Sequence, residues 1–431
     1  MPTLRTATLG CKVNQYETQY LREGLHGIGY REAGPDEAAD LCIVNTCTVT
    51  AEGDAKSRQV IRQMARRNPG TRIVVMGCYA TRAPQEVATL PAVAEVLTDK
   101  RELPDLLGRF GVVDVPTGIA GLDGRQRAYV KVQDGCRLAC TFCIIPQVRP
   151  VLASRPADQI VAEIQRLTGN GYREIVLTGI HLGHYGIELN RGKPKAEWLR
   201  LSHLLQRIAR MPGEFRVRLS SIEATEVTRE LIQVMADHPS RICPHLHISL
   251  QSGSDRVLRR MRRRWGAQRL IDRAHLVREA LDQPAITTDI IVGFPGETDE
   301  DFAATCRVVE EIGCSKIHVF PFSARRGTPA AEMSDQVPAA VKSKRAEELS
   351  ALADRLRDRY FASLRGRTLQ VLVEPRVASR TGYRLGTACR YAPVEVPIAG
   401  TTVRHFVDCV AGEVVDGCIR ARLVDDGRIN S

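Results

Sequence analysis

No run in this chain of 431 residues approaches the roughly 18 consecutive apolar residues that a membrane helix needs. The first thirty residues carry Arg5, Lys12, Glu17, Arg22 and Glu23, so no signal-peptide core can be drawn there. The expected protein is cytoplasmic, without a membrane partner. Aromatic residues are scarce at 5%, so any stacking on nucleobases must rest on few side chains, such as Tyr383 and Tyr391. Low-complexity tracts are missing, and 43% hydrophobic with 26% charged residues excludes a disordered or fibrous chain. Acidic residues are in deficit: 50 Asp and Glu against 61 Lys and Arg leave a formal charge of +11. That surplus favours a polyanionic partner.

Cysteine, by contrast, is plentiful. Thirteen cysteines in a chain with no export signal point to metal ligands or catalytic thiols before disulfides. Their placement follows the layout of the chain. The N-terminal third repeats a β-prone run and a helical stretch three times (runs Leu4–Leu9, Leu41–Val44 and Arg72–Met76), which implies parallel βαβ units. Leu103–Gly124 reads as a linker. A longer alternation follows, with strands expected at Ala128–Gln133, Glu174–Thr178, Arg216–Ser220, His245–Leu250, Thr287–Val292 and Lys316–Phe320. Six βα units without a return strand predict a partial (βα)6 barrel. Pro338–Arg365 is charged and helical, a connector. From Gly366 short β-prone runs punctuated by Gly predict a small antiparallel β-barrel of a kind that often binds oligonucleotides. The expected class is α/β, with boundaries at 1–122, 125–335, 336–365 and 366–431.

Cys136, Cys140 and Cys143 form C-x3-C-x2-C directly after the first barrel strand. Three thiolates on one short loop can hold three irons of a [4Fe-4S] cluster and leave the fourth open. An open iron suits a ligand with an amine and a carboxylate, such as S-adenosylmethionine. Phe142 is placed to shield such a cluster. The alternative is a zinc loop, which needs a fourth ligand; the nearest histidines, His181 and His184, are some forty residues away. Cys11, Cys47 and Cys78 are spaced by 36 and 31 residues, one βαβ crossover each, and each follows its β-run directly. Parallel strands end on one sheet edge, so the three should converge and again leave an iron open. The bland alternative is three small buried residues at strand ends. The other seven, Cys42, Cys243, Cys306, Cys314, Cys389, Cys409 and Cys418, lack ligand spacing and read as small core hydrophobes.

Several motifs in order carry a resemblance over nearly the whole chain. They are Leu9-Gly10-Cys11-Lys12-Val13-Asn14-Gln15-Tyr16-Glu17, Asn45-Thr46-Cys47-Thr48-Val49-Thr50, Gly77-Cys78-Tyr79-Ala80, and Gly135-Cys136 through Cys143-Ile144-Ile145-Pro146. Leu177-Thr178-Gly179, Leu219-Ser220-Ser221-Ile222-Glu223, Leu250-Gln251-Ser252-Gly253-Ser254-Asp255 and Gly293-Phe294-Pro295-Gly296-Glu297-Thr298 continue the series. The sequence resembles the radical S-adenosylmethionine methylthiotransferase family, and the Lys12–Gln15 stretch resembles the branch acting on threonylcarbamoyladenosine in tRNA. Pro150, Ala153, Ser249, Ala324 and Arg326 depart from the family pattern without touching a cysteine.

The resemblance implies two [4Fe-4S] clusters, one on each cysteine set, and S-adenosylmethionine as both radical source and methyl donor. A 5′-deoxyadenosyl radical would activate C2 of the adenosine 3′ of the anticodon, and sulfur on the N-terminal cluster would be methylated and transferred. It implies cosubstrate contacts at Phe142, Thr178, Gly179, Ser220, Glu223, Gln251, Ser252, Asp289 and Gly293. The C-terminal barrel resembles the RNA-binding TRAM domain, with Arg376, Arg380, Arg384, Arg390 and Arg404 as phosphate contacts. Arg256, Arg259, Arg260, Arg262, Arg263 and Arg264 form a second basic stretch beside a strand end, and Arg149 is a candidate partner for the threonylcarbamoyl carboxylate. Expected partners are a tRNA anticodon stem-loop and a reductant such as flavodoxin or ferredoxin, acting on a monomer. Competing readings are methylthiolation of isopentenyladenosine or of a ribosomal-protein aspartate, and, from another class, a non-catalytic tRNA-binding metalloprotein.

Overall fold

The three N-terminal β-prone runs become the middle of a parallel sheet. In the computed structural model, which describes residues 1–424, the strands are β1 (Thr3–Thr8), β2 (Arg31–Glu32), β3 (Leu41–Thr46), β4 (Arg72–Gly77) and β5 (Val93–Val96), in the order β2-β1-β3-β4-β5. Every neighbouring pair is parallel. β3 is buried at each position and β4 at all but its first, as strands covered on both faces must be. The helices between them are α1 (Lys12–Gly27), α2 (Ala51–Arg67), α3 (Cys78–Arg82), α4 (Pro84–Ala88) and α5 (Leu103–Arg109). Thr50 caps α2 by accepting from the Gly53 amide, with Glu52 and Asp54 in the first turn.

α5 corrects the expected linker at Leu103–Gly124. Leu103, Leu106 and Leu107 share one helical face and are buried. Leu107 fits against α1 only because position 24 is glycine; a Cβ there would stand 2.6 Å from its Cδ1. The scattered Gly and Pro masked this short amphipathic pattern.

The chain forms two compact units. Residues 1–170, 178–199 and 323–332 make the first, and residues 171–177, 200–322 and 333 onward the second. All six predicted strands of the central series form: β6 (Arg127–Asp134), β8 (Glu174–Gly179), β9 (Arg216–Leu219), β11 (His245–Ile248), β12 (Ala285–Val292) and β13 (Lys316–Pro321). Two short strands join them, β7 (Ala153–Ser154), antiparallel to β6, and β10 (Ser221–Ile222). β10-β11-β12-β13 is a parallel sheet, and β8 pairs β9 in parallel.

In the second unit the helix Ala339–Ser363 is packed, not a free connector. Arg345 is buried against Glu297 and Asp299, while Phe361 and Leu364 enter the core of the C-terminal barrel. That barrel closes in the order β14-β15-β16-β18-β17, with β14 (Thr368–Val377), β15 (Tyr383–Ala388), β16 (Pro393–Pro397), β17 (Phe406–Val415) and β18 (Cys418–Leu423). One pair, β16 with β18, is parallel, so the barrel is not wholly antiparallel as expected. Residues 425–431 of the expected 366–431 domain lie outside the described residues.

Charged side chains secure this barrel. Glu174, Arg216 and Arg218 are fully buried, and each arginine Nε donates to Glu174 at 2.7 Å. Their remaining N–H groups donate to main-chain carbonyls of Gln370 (2.7 Å), Thr387 (2.8 Å), Cys389 (3.0 Å) and Ala388 (3.1 Å).

Candidate functional site: two cysteine sets joined by a buried ion network

Each N-terminal cysteine follows a strand of the parallel sheet. Cys11 caps α1, Cys47 follows β3, and Cys78 opens α3. Glycines allow the approach. Gly10, at φ +92°, would place a Cβ 3.0 Å from the Cys47 Sγ, and Gly77, at φ +98°, would drive one to 2.3 Å from the Thr46 carbonyl oxygen. Two buried polar side chains tie the turns together. Asn14 Nδ2 donates to the carbonyls of Leu9 (2.8 Å) and Thr46 (3.1 Å). Thr46 Oγ1 donates to Met76 O at 2.6 Å and accepts from the Ala80 amide at 3.2 Å. Thus the three thiols converge at one sheet edge. Cys11 remains solvent-accessible within a concave, crowded neighbourhood that raises its thiol pKa, while Arg149 pulls it back and Cys78 pushes it up further. Burial likewise raises Cys47, against the amides of Val49 and Thr48.

Behind Cys47, Thr48 and Asp54 form a second polar knot. Asp54 is buried and accepts from Thr48 Oγ1 (2.5 Å) and Arg82 (2.6 Å), and Arg325 reaches both Thr48 and Asp54.

The C-x3-C-x2-C loop belongs to the same unit. Gly135, at φ +81°, lies so close to Val151 that a Cβ would meet its carbonyl oxygen at 1.9 Å. The Cys136 amide donates to Arg149 O at 3.0 Å and the Cys143 amide to Cys140 O at 3.1 Å. Residues 323–332 clamp the loop, with the Ala330 amide donating to Thr141 O (2.9 Å) and Gln147 Nε2 to Gly327 O (2.6 Å). Cys78 packs with Ile144 and Val148, so the two cysteine sets are neighbours. His181 Nδ1 stands 3.7 Å from Cys136 Sγ, the contact a zinc loop would use. Among the described residues, however, no group of three donor atoms within 4.8 Å of one another includes a cysteine. A single tetrahedral zinc needs donors that close; a four-iron cube does not. Three thiols per set, none of them in a disulfide, fit a cluster.

Between the sets lies a feature the sequence did not announce. Arg149, 4% exposed, donates both Nη atoms to Glu17 (2.8 Å each), Nη1 also to Asp134 (2.9 Å), and Nη2 to Asn14 Oδ1 (3.1 Å). Lys131 Nζ completes the box on Glu17 (2.7 Å) and Asp134 (2.6 Å). Burial alone would raise the Glu17 carboxyl, but Arg149 and Lys131 outweigh it and hold it below the ordinary range; the Lys131 ammonium is held above its own. The box links α1, just after Cys11, to the residues on either side of Cys136–Cys143. Arg149 therefore has its fork filled, and its candidacy for a substrate carboxylate is corrected. Nearby, a cavity of about 170 Å³ is lined by Thr81, Lys100, Asp134, Val148, Arg149 and Val151. Burial there depresses the Lys100 ammonium to about 8.

The residues expected around S-adenosylmethionine divide. In the first unit, Phe142 is half-buried, Thr178 is buried, and Gly179 lies against Gln133, where a Cβ would meet Oε1 at 3.0 Å. Gln133 is fully buried, accepts from the His181 amide (2.8 Å) and donates to Gly135 O (2.8 Å); it orients both segments and was missed. In the second unit, Ser220 Oγ is buried without a hydrogen-bond partner. Gln251 adopts φ +74°, and its N and O bridge Asp289 O and Ile291 N. Glu223 is engaged by Arg263 (2.6 Å), Ser252 by Thr305 and the Ser254 amide, Asp289 by His247 (3.1 Å), and Gly293 abuts Lys342.

The basic stretch divides too. Arg256 pairs with Asp301, Arg260 with Asp335 (2.7 Å) and Arg263 with Glu223, whereas Arg259, Arg262 and Arg264 are exposed. On the barrel, Arg390 is buried against Asp282 (2.8 Å), while Arg376, Arg380 and Arg404 are exposed and Arg384 half-buried. Arg380 covers Tyr383 at 3.9 Å, and Tyr391 lies under Arg218 at 5.0 Å, so the two tyrosines already stack on guanidiniums.

Comparison with known proteins agrees with this geometry. Residues 130–309 match the Radical SAM superfamily, and residues 3–98 match the uncharacterized protein family UPF0004. The chain is 40% identical over 393 residues, covering 87% of it and 85% of the relative, to the threonylcarbamoyladenosine tRNA methylthiotransferase MtaB of Bacillus subtilis. It is 39% identical to the protein of that name in Thermotoga maritima, over 87% of each chain. The tRNA-2-methylthio-N(6)-dimethylallyladenosine synthase of Mycolicibacterium vanbaalenii is 36% identical over 86% of this chain and 76% of its own. Among solved structures, the radical S-adenosylmethionine methyltransferase TsrM of Kitasatospora setae shares the fold, with a TM-score of 0.55 at 13% identity over 77% of both chains. No helix among the described residues is long and apolar enough to cross a membrane. With two family matches in tandem and relatives at this identity across most of its length, the chain belongs to the radical S-adenosylmethionine tRNA methylthiotransferase family.

Proposed function

We propose that this enzyme places a methylthio group on C2 of N6-threonylcarbamoyladenosine beside the tRNA anticodon. The observation that carries the reading is the convergence of two three-cysteine sets, joined by the Arg149 box. The substrate is supported by five relatives at 34–40% identity that bear the threonylcarbamoyladenosine name, and by the Lys12–Gln15 stretch after Cys11. Cys136, Cys140 and Cys143 would hold one [4Fe-4S] cluster, and Cys11, Cys47 and Cys78 a second. When bound, the clusters and S-adenosylmethionine supply the radical that opens the aryl C–H bond and the sulfur and methyl group that replace its hydrogen.

The protein's own part is placement. Glu17, Asp134 and Arg149 hold the two thiol-bearing turns in register. Gly179 leaves backbone open for a close approach of the cosubstrate, and Thr178 and Phe142 border it. The exposed Arg259, Arg262, Arg264 and Arg376, with Arg384, take tRNA phosphates, and the target base leaves its stack to enter. We assign residues 1–122 to the N-terminal cluster domain, 125–335 to the radical domain, 336–365 to its packed helix and 366–431 to the RNA-binding barrel. A flavodoxin- or ferredoxin-type reductant would serve a monomer in the cytoplasm.

Nucleoside mass spectrometry of tRNA from a host lacking its own methylthiotransferases tests the reading. Expressing this chain should convert threonylcarbamoyladenosine to its 2-methylthio form. Methylthio on isopentenyladenosine alone would overturn the substrate, and no methylthio nucleoside at full cluster content would overturn the reaction.

A further inference from the structure

Inside the second unit three side chains from three adjacent parallel strands meet. They are His247 on β11, Asp289 on β12 and His318 on β13. The register pairs His247 with Thr287 and Asp289 with His318, so strand alternation sets all four on one face. One nitrogen from each histidine and one carboxylate oxygen lie within 4.8 Å of one another. The two imidazole centroids stand 5.8 Å apart.

The hydrogen bonding prepares this group for a cation. His247 Nδ1 is 2.9 Å from Thr287 Oγ1, which is itself 3.3 Å from His245 Nε2. With Nδ1–H given to Thr287, Nε2 presents its lone pair toward the Asp289 carboxylate, 3.1 Å away. His247 is 9% exposed, and its buried Nε2 makes no hydrogen bond there. A lone pair facing a carboxylate at that distance calls for a positive charge between them, a proton or a metal ion, and the His318 nitrogen within 4.8 Å of both gives the ion a third donor. Asp289 keeps 26% of its side chain exposed, so the group is open on one side.

We propose that His247, Asp289 and His318 form a cation site, separate from both cysteine sets, that takes one borderline divalent ion of the zinc class. Two imidazoles and one carboxylate on rigid strands, with positions left free, suit such an ion better than calcium or magnesium, which prefer all-oxygen shells. The site uses the Asp289 carboxylate for the ion and withdraws it from direct contact with the adenosyl group.

Zinc is the probe, and two measurements separate it from the thiols. The full chain with its six cluster cysteines changed to Ala is dialysed against zinc, and bound metal is counted. About one zinc per chain is expected, falling at least tenfold in the same background with His318→Asn or Asp289→Asn. Zinc-edge X-ray absorption on the cluster-loaded wild-type enzyme with one added equivalent is the second arm, independent of the folding of the six-Ala chain. Nitrogen and oxygen neighbours with imidazole scattering are expected. A sulfur shell, zinc binding that ignores His318→Asn, or no retained zinc would each overturn the site and leave a His247–Asp289 ion pair.

Discussion

Replacing Glu17 by Gln asks how much the buried ion box holds. Glu17 is 1% exposed and accepts three charge-assisted bonds, two from Arg149 and one from Lys131, at 2.7–2.8 Å. The substitution removes one of two anions facing two cations and turns an amide –NH2 toward a donor. Removing one partner of a buried ion pair costs about 3–5 kcal/mol. Asp134 still faces both cations and Gln can still accept one bond, so the lower end, about 3 kcal/mol, is expected. At about 1.4 kcal/mol per decade, amides of α1 and of residues 127–150 should exchange with deuterium roughly 100-fold faster in Glu17→Gln. Lys131→Met removes one cation instead. In the double variant one cation again faces one anion, so its cost should fall short of the summed single costs by about 1.5 kcal/mol or more. Acceleration below about fivefold, or strict additivity, would refute the claim that these charges form one interdependent box.

Gly77→Ala should abolish the N-terminal cluster alone, because its Cβ would meet the Thr46 backbone at 2.3–2.4 Å; iron should fall by about half, with the other cluster's electron paramagnetic signal kept. Lys100, depressed to about 8 by burial, pays for its charge in full below pH 8, and that cost is relieved as pH rises toward 10.5, where the unfolded chain still binds the proton. In cluster-free protein the wild type should therefore gain about 2 kcal/mol on Lys100→Met between pH 7 and pH 9.5 in urea unfolding; parallel curves would refute the burial of a charge there. Glu174→Gln leaves Arg216 and Arg218 buried without an anion, and a cost of about 3–5 kcal/mol should appear as faster exchange at residues 384–390.

Much of this site was legible because it is local. A glycine before a cysteine at a strand end is a short-range signal, and parallel topology then brings three such ends together whatever the intervening residues. The longer strands of the N-terminal sheet and of the central series were readable for the same reason, whereas the short β2, β5, β7 and β10 were not. The Arg149 box was not: Glu17 and Arg149 are 132 residues apart, and nothing near either one names the other. Read alone, Arg149 was a free guanidinium for a substrate carboxylate. The basic stretch misled in the same way, since Arg256, Arg260 and Arg263 meet acids at 301, 335 and 223. Gln133 left no signal beyond its strand; its value lies in two hydrogen bonds only the fold creates.

Of the five acceptors that Arg216 and Arg218 use on the C-terminal barrel, four are backbone oxygens and one is Gln370 Oε1, at 3.3 Å. Main-chain carbonyls carry no side-chain identity, so mutations in 371–389 that keep the trace leave these four bonds intact, and only Gln370 contributes a side-chain oxygen. Drift of sequence there is tolerated while insertion or deletion is not. The outer surface of the barrel can thus be rewritten over evolutionary time while its anchorage stays fixed. A barrel grafted from another protein would hold here if it presented oxygens at those places, however little of its sequence matched.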